Sequence, residues 1–142
     1  MARLKKTILC VGDNWDELVA RRMLLETVGY RVLPATDADE GLRFFRGNPI
    51  DAVVLDYQVP GMKIEVVTAK MKGAKPHVPI VLLSSFWPLP KNKLISIDKF
   101  LTKSQESAML LPAIEELLTV RTKPIFVQWL DTWRSRNRTV LP

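Results

Sequence analysis

Residues 50–62 read IDAVVLDYQVPGM, and the fold turns on how that run is parsed. Ala52 to Asp56 is apolar without a break until it stops in a carboxylate. A half-exposed strand would alternate, so this is the pattern of a short strand buried on both faces. Val59, Pro60 and Gly61 then turn the chain. The carboxylate thus stands at the carboxyl edge of a sheet, and in an open parallel sheet that edge carries the ligand crevice. Asp56 is the first candidate for a working residue, against the plainer role of closing a turn.

Working outward, the flanking segments repeat the pattern. Upstream, Thr7 to Val11 is β-rich and apolar and ends in Gly12, Asp13 and Asn14, a strand end followed by a helix cap. Leu18, Val19, Met23, Leu24 or Leu25 and Val28 recur at three and four residue spacings, which predicts an amphipathic helix over Trp15 to Val28 closed by Gly29. A strand follows at Tyr30 to Pro34. Thr36 or Asp37 caps a second helix with Leu42, Phe44 and Phe45 inward, stopped by Gly47-Asn48-Pro49.

Downstream, a third helix is predicted from Ile64 to Met71, with Val66, Val67 and Met71 inward and Gly73 at its end. Pro79 to Leu83 is another apolar strand, delivering Ser84 and Ser85 to the same edge. Phe86-Trp87-Pro88-Leu89-Pro90 follows, and its two prolines confine any helix to about Asn92 to Ser96. Ile97 to Thr102 makes a fifth strand that delivers Lys103. Ser104 or Ser107 caps a last helix with Leu110, Leu111, Ile114, Leu117 and Leu118 on its apolar face.

The 142 residues, 47% hydrophobic and 25% charged, fit one domain. Cys10 is the single cysteine and cannot form an internal disulfide, which agrees with a reducing, cytoplasmic setting. His77 has no second His or Cys at ligand spacing and reads as a loop residue. No apolar run approaches a membrane span. From Arg121 onward five Lys or Arg face Asp131 alone, so +4 of the formal +6 lies in the last 22 residues. The body is nearly neutral, and with no nucleic-acid-binding motif in view no nucleic acid partner is expected. The expected organisation is a domain over 1–120 and a basic tail over 121–142.

Strands alternating with helices predict an α/β domain with right-handed crossovers. In a doubly wound sheet of order 2-1-3-4-5, the first and third strands are neighbours at the switch point, which gathers Asp13, Asp56, Ser84 and Lys103 at one edge. Adjacent carboxylates repel unless a divalent cation lies between them, and a hydroxyl with an ammonium suits an anion. The set describes a site for a metal ion and a phosphoryl group.

On these residues the chain from about Lys5 to Leu118 resembles the receiver domain of bacterial two-component response regulators. ILCVGDN (8–14) is similar to the family's acidic first-strand motif and VVLDYQVPGM (53–62) to its phosphoacceptor strand and loop. PIVLLSS (79–85) and KFLTKS (99–104) are similar to its strands ending in a hydroxyl and in lysine. The resemblance implies a flavodoxin-like (βα)5 fold. It implies Asp56 as the phosphoacceptor for a histidine kinase or phosphotransfer protein, and Mg²⁺ held by Asp13, Asp56 and the backbone carbonyl of Gln58. Lys103 would pair with a phosphoryl oxygen, Ser84 would bond the phosphorylated form, and Phe100 stands at the position of the switch aromatic. Output would pass through the surface around the fourth helical segment and fifth strand.

The chain departs from that family pattern in four places. Gly12 replaces the first acid of the pair, which predicts weak Mg²⁺ binding. Lys63-Ile64 replaces the usual run after the PGM turn. Ser104 replaces the proline after the lysine, and Phe86 to Pro90 shortens the fourth helix. In the tail, Phe126, Trp129, Leu130 and Trp133 fall on one face of a short amphipathic helix followed by Arg134, Arg136 and Arg138, suited to self-packing, a homodimer contact or a membrane surface. The expected function is a stand-alone phosphorylatable receiver that signals through protein contacts. The alternative is a pseudo-receiver that keeps the fold and acts without phosphate.

Overall fold

The computed structural model describes residues 5–122, and side chains through residue 119. The tail helix read at Phe126 to Trp133 lies outside the described residues. Five parallel strands, β1 (Thr7–Val11), β2 (Arg31–Ala35), β3 (Ala52–Asp56), β4 (Ile80–Ser84) and β5 (Lys99–Thr102), form one sheet in the order β2-β1-β3-β4-β5. This is the flavodoxin-like arrangement expected from the sequence. β4 starts one residue and β5 two residues later than read, for a local reason. The Asp98 carboxylate accepts the Ile80 N–H at 2.8 Å and its own N–H goes to Ile80 O at 2.9 Å, so Asp98 clasps the strand starts.

Four α-helices accompany the sheet: α1 (Trp15–Glu26), α2 (Ala38–Gly47), α3 (Ile64–Ala74) and α4 (Glu106–Thr122). Asn14 caps α1 by accepting the Glu17 N–H, and Asp37 caps α2 by accepting the Glu40 N–H. Thr36 lies one residue outside that cap, and its N–H donates to the Glu40 carboxylate at 2.9 Å. α1 ends two residues early, and α3 runs through Gly73 rather than stopping there. Gly73 is the last residue but one of the helix, where a glycine costs little, and the buried Ile64, Val67 and Met71 hold the helix to the core. At the end of the β3 loop, Gly61 takes φ +102°, the left-handed region that glycine enters freely, and Pro60 O accepts the Ala38 N–H.

Two readings of the second half need correction. The fourth crossover holds no α-helix, only a 3-10 turn at Lys91–Lys93 rather than a helix over Asn92–Ser96. Pro88 and Pro90 withhold backbone donors, and Lys93 is tied to Glu65 of α3 at 2.7 Å. Neither Ser104 nor Ser107 caps the last helix. Thr102 and Gln105 form a reciprocal capping box around a 3-10 turn, Lys103–Gln105, that leads directly into α4.

The strands' alternation divides the core in two. Leu9, Val11, Val53, Leu55, Ile80 and Leu82 pack toward α2 and α3, whereas Ile8, Cys10, Ala52, Val54, Val81 and Leu83 pack toward α1 and α4. The stripes of two helices are narrower than read from apolar spacing. Val19, Met23, Val28 and Val66 are exposed. The buried face of α1 is Leu18, Arg21 and Leu25, with a charged residue at its centre.

Candidate functional site

Asp56 ends β3 on the same face as Ala52 and Val54, which turns it toward α1 and α4. It is 1% exposed, and neither carboxylate oxygen has a hydrogen-bond partner. Val11 pairs with Leu55 in register, so Gly12 lies beside Asp56 at the edge. A Cβ built on Gly12 would collide with Asp56 Oδ2 and stand 2.9 Å from its Cγ. While Asp56 holds this position, glycine is favoured at residue 12 by close approach and not by a left-handed backbone, which Gly12 does not have. The Gly12 position is therefore more than a missing acid: the Asp56 carboxylate fills the space a side chain at residue 12 would enter.

Two cations face Asp56 Oδ1. Arg21 Nη2 lies 3.5 Å away and Lys103 Nζ 3.8 Å away. Burial pushes the Asp56 carboxyl above the usual carboxylate range, and Arg21 and then Lys103 pull it back. Arg21 is itself held by Glu106, whose carboxylate accepts from Nε at 2.6 Å and from Nη2 at 3.0 Å. Burial works against the guanidinium charge, and the Glu106 bond with the Asp56 charge outweighs it, so Arg21 stays cationic. Lys103 donates to Glu17 at 2.8 Å. Between α1 and α4 a cleft of about 330 Å³, lined by Glu17, Ala20, Arg21, Leu24, Lys103, Glu106 and Ser107, opens onto these charges.

Ser84 shares its parity with Ile80 and Leu82, on the opposite face from Asp56. Its buried Oγ accepts the Phe86 N–H at 2.8 Å, and its hydroxyl donates to Phe86 O at 3.1 Å. It thus closes the turn that follows β4 and does not reach Asp56. Ser84, Gln58 and Lys103 nonetheless share a narrow pocket with Tyr57, Leu83, Ser85 and Phe86, of about 10 Å³, scarcely room for one water. Phe100 is half-buried beneath the exposed Trp87, ring centroids 5.1 Å apart. Asp13 and Gln58 are exposed beyond the ends of β1 and β3.

Among the described residues no three His, Cys, Asp or Glu side chains gather to hold a metal. Asp13, Asp56 and the Gln58 carbonyl nevertheless offer only oxygen donors, the kind hard divalent cations take with water completing the shell. The Asp56 oxygens, which make no hydrogen bond, suit such an ion in chemistry, and burial keeps them from it until the side chain turns outward. Of the site residues named from sequence, Asp13, Asp56, Gln58, Ser84 and Lys103 lie at the carboxyl ends of their strands and Phe100 lies within β5, and what sequence reading missed is the layer beneath: Arg21, Glu106 and Glu17. A signal for Arg21 was available. Leu18 and Leu25 lie seven residues apart, and Arg21 falls between them on the same helical face.

This fold and edge define a doubly wound α/β domain whose central strand ends in a carboxylate at the switch point. Residues 8–115 match the profile of the response regulator receiver domain, and the chain belongs to that family. It is 24% identical over 137 residues to the transcriptional regulatory protein GlrR of Escherichia coli, covering 94% of this chain and 31% of that protein. It is 27% identical over 112 residues to the autoinducer 1 sensor kinase/phosphatase LuxN of Vibrio harveyi, covering 79% and 13%. The chain thus spans about a third or less of the length of these curated relatives. Among solved structures it superposes on a CheY-like receiver domain from Methanospirillum hungatei with TM-score 0.77 at 25% identity, covering 83% of this chain and 97% of that one. The response regulator TrrA of Thermotoga maritima, solved in complex with Mg²⁺ and BeF, gives TM-score 0.72 at 27% identity, covering 79% and 98%.

Proposed function

We propose that this chain is a receiver whose Asp56 accepts a phosphoryl group from a histidine kinase or phosphotransfer protein and which signals through protein contacts. The observation that carries the reading is the Asp56 carboxylate, ending the central strand with two unsatisfied oxygens and Lys103 Nζ at 3.8 Å. In the transfer, an Asp56 oxygen forms a bond to phosphorus as the P–N bond of the donor phosphohistidine breaks. The imidazole nitrogen keeps the electron pair and takes a proton. Asp13, Asp56 and the Gln58 carbonyl would hold Mg²⁺, which when bound offsets charge on the phosphoryl oxygens.

The rest of the step falls to groups that are engaged elsewhere in this structure. Asp56 must turn its oxygens away from Gly12 to meet a donor, because both are buried. Lys103 exchanges Glu17 for a phosphoryl oxygen, and Ser84 exchanges Phe86 for another. Movement of Ser84 draws on Phe86 and Trp87, and Trp87 rests on Phe100, so that segment carries the change toward β5. The sealed oxygens and the Lys103–Glu17 pair are also what favour the second reading, a pseudo-receiver.

Intact-mass spectrometry of wild type and Asp56→Asn, treated with acetyl phosphate and excess Mg²⁺, separates the two. The receiver reading expects one phosphoryl group on wild type and none on the variant. A wild type that gains nothing under conditions that label an ordinary receiver makes the pseudo-receiver the function. Among the described residues no helix is long and apolar enough to cross a membrane.

A further inference from the structure

Arg21 is the least expected side chain in the molecule. It occupies the centre of the buried face of α1, between Leu18 and Leu25, at 1% exposure. Stability does not account for it: replacing a buried ion pair by apolar side chains of similar volume is often neutral or stabilising. Nor is it spent on Glu106 alone. The fork to Glu106 uses Nε and Nη2, yet Nη2 also lies 3.5 Å from Asp56 Oδ1, and Nη1 is buried without a partner. Lys103 lies 3.8 Å from the same oxygen, so the phosphoacceptor already faces two cations.

We infer that Arg21 is a resident counter-cation of Asp56, a positioning residue that carries from inside the fold part of the positive charge a divalent ion supplies at the sheet edge. The inference rests on reading Asp56 as the phosphoacceptor. Two observations belong together under it. Gly12 removes a negative charge from the edge, and Arg21 adds a positive one beneath it; both lower the affinity of the edge for Mg²⁺. Arg21 also draws the Asp56 carboxylate inward, against the bare Gly12 backbone. Glu106 tunes the effect, since its carboxylate offsets the guanidinium charge that Asp56 and a metal would feel.

The test is calorimetric titration of Mg²⁺ into wild type, Arg21→Leu, Arg21→Lys and Glu106→Gln, with a thermal melt of each. Removing a unit positive charge this close to a metal ligand is expected to tighten Mg²⁺ binding by about tenfold or more. Arg21→Lys, which keeps the charge, stays near wild type. Glu106→Gln, which leaves Arg21 uncompensated, binds Mg²⁺ more weakly. A purely structural role for Arg21 shifts the melts and leaves the affinities alone, and that result overturns the inference, as does the absence of Mg²⁺ binding in every variant. If Arg21→Leu does not fold, Glu106→Gln carries the test with the opposite sign, because its side chain is partly exposed. Phosphorylation is read separately by intact mass. Affinities in the expected order without any phosphoryl gain on wild type support the placement of Arg21 and refute the receiver reading.

Discussion

Gly12 and Asp56 share a volume that one carboxylate fills. Adding a methyl group at residue 12 forces Asp56 Cγ or the backbone aside, and overpacking of that kind costs roughly 1–3 kcal/mol. Gly12→Ala is therefore expected to lower the urea midpoint without changing the slope of the transition. Unchanged stability would mean that Asp56 leaves this position freely. Cys10 illustrates a different isolation. Burial pushes its thiol up to about 12, with Arg21 pulling it only partly back, so the nucleophilic thiolate is scarce at neutral pH. Its reaction with a disulfide reagent should be negligible in the native protein and rapid in denaturant. A native rate close to that of a free thiol would show β1 opening locally.

Elements explain what was legible in the sequence and what was not. The strands were readable because continuous burial leaves continuous apolar runs, and β1 and β3 fall where those runs predicted. α1 was readable in its buried Leu18 and Leu25 and read too wide, since a count of apolar positions passes over Arg21 and credits Val19 and Met23, which face outward. The start of α4 was misread because Thr102 and Gln105 act through a turn that precedes the helix. Within α4, the exposed Pro112 lies beyond the first turn and deletes one helical hydrogen bond. Pro112→Ala is expected to stabilise the fold by about 1–2 kcal/mol, seen as a rise of several degrees in Tm. A fall would mean that the proline sets the tilt that brings Glu106 to Arg21. The segment after β4 belongs here as well. Phe86, held by Ser84 and edge-on to Tyr57, stands by the narrow pocket at Gln58 and Lys103. If Asp56 takes a phosphoryl group as proposed, Phe86→Ala should shorten its lifetime by admitting water, and a lifetime no shorter than wild type would remove Phe86 as a barrier.

At the scale of the whole molecule, the described residues build two apolar clusters, one on each face of the sheet. A chain ending at Thr122 is expected to unfold in one cooperative transition at nearly the full-length midpoint, checked by circular dichroism in urea. Comparing the two chains by sedimentation and by flotation with anionic liposomes assigns any self-association or membrane contact to residues 123–142. The edge residues were legible because they stand at the ends of hydrophobic runs, and the sheet order came with the doubly wound topology that the family resemblance implies. The sequence could not carry the pairing of Arg21 with Glu106, which lie 85 residues apart and meet only when α1 and α4 dock on the same face. The contact between Gly12 and Asp56 also fixes an order of mutational steps. Introduced first, Gly12→Asp meets an occupied space and two carboxylates in contact, so it is costly on its own. Introduced after Arg21→Leu, it finds an Asp56 no longer drawn inward, and the same substitution becomes tolerable. The way to an acidic pair at residues 12 and 13 runs through residue 21, and the two changes are coupled through the Asp56 carboxylate that stands between them.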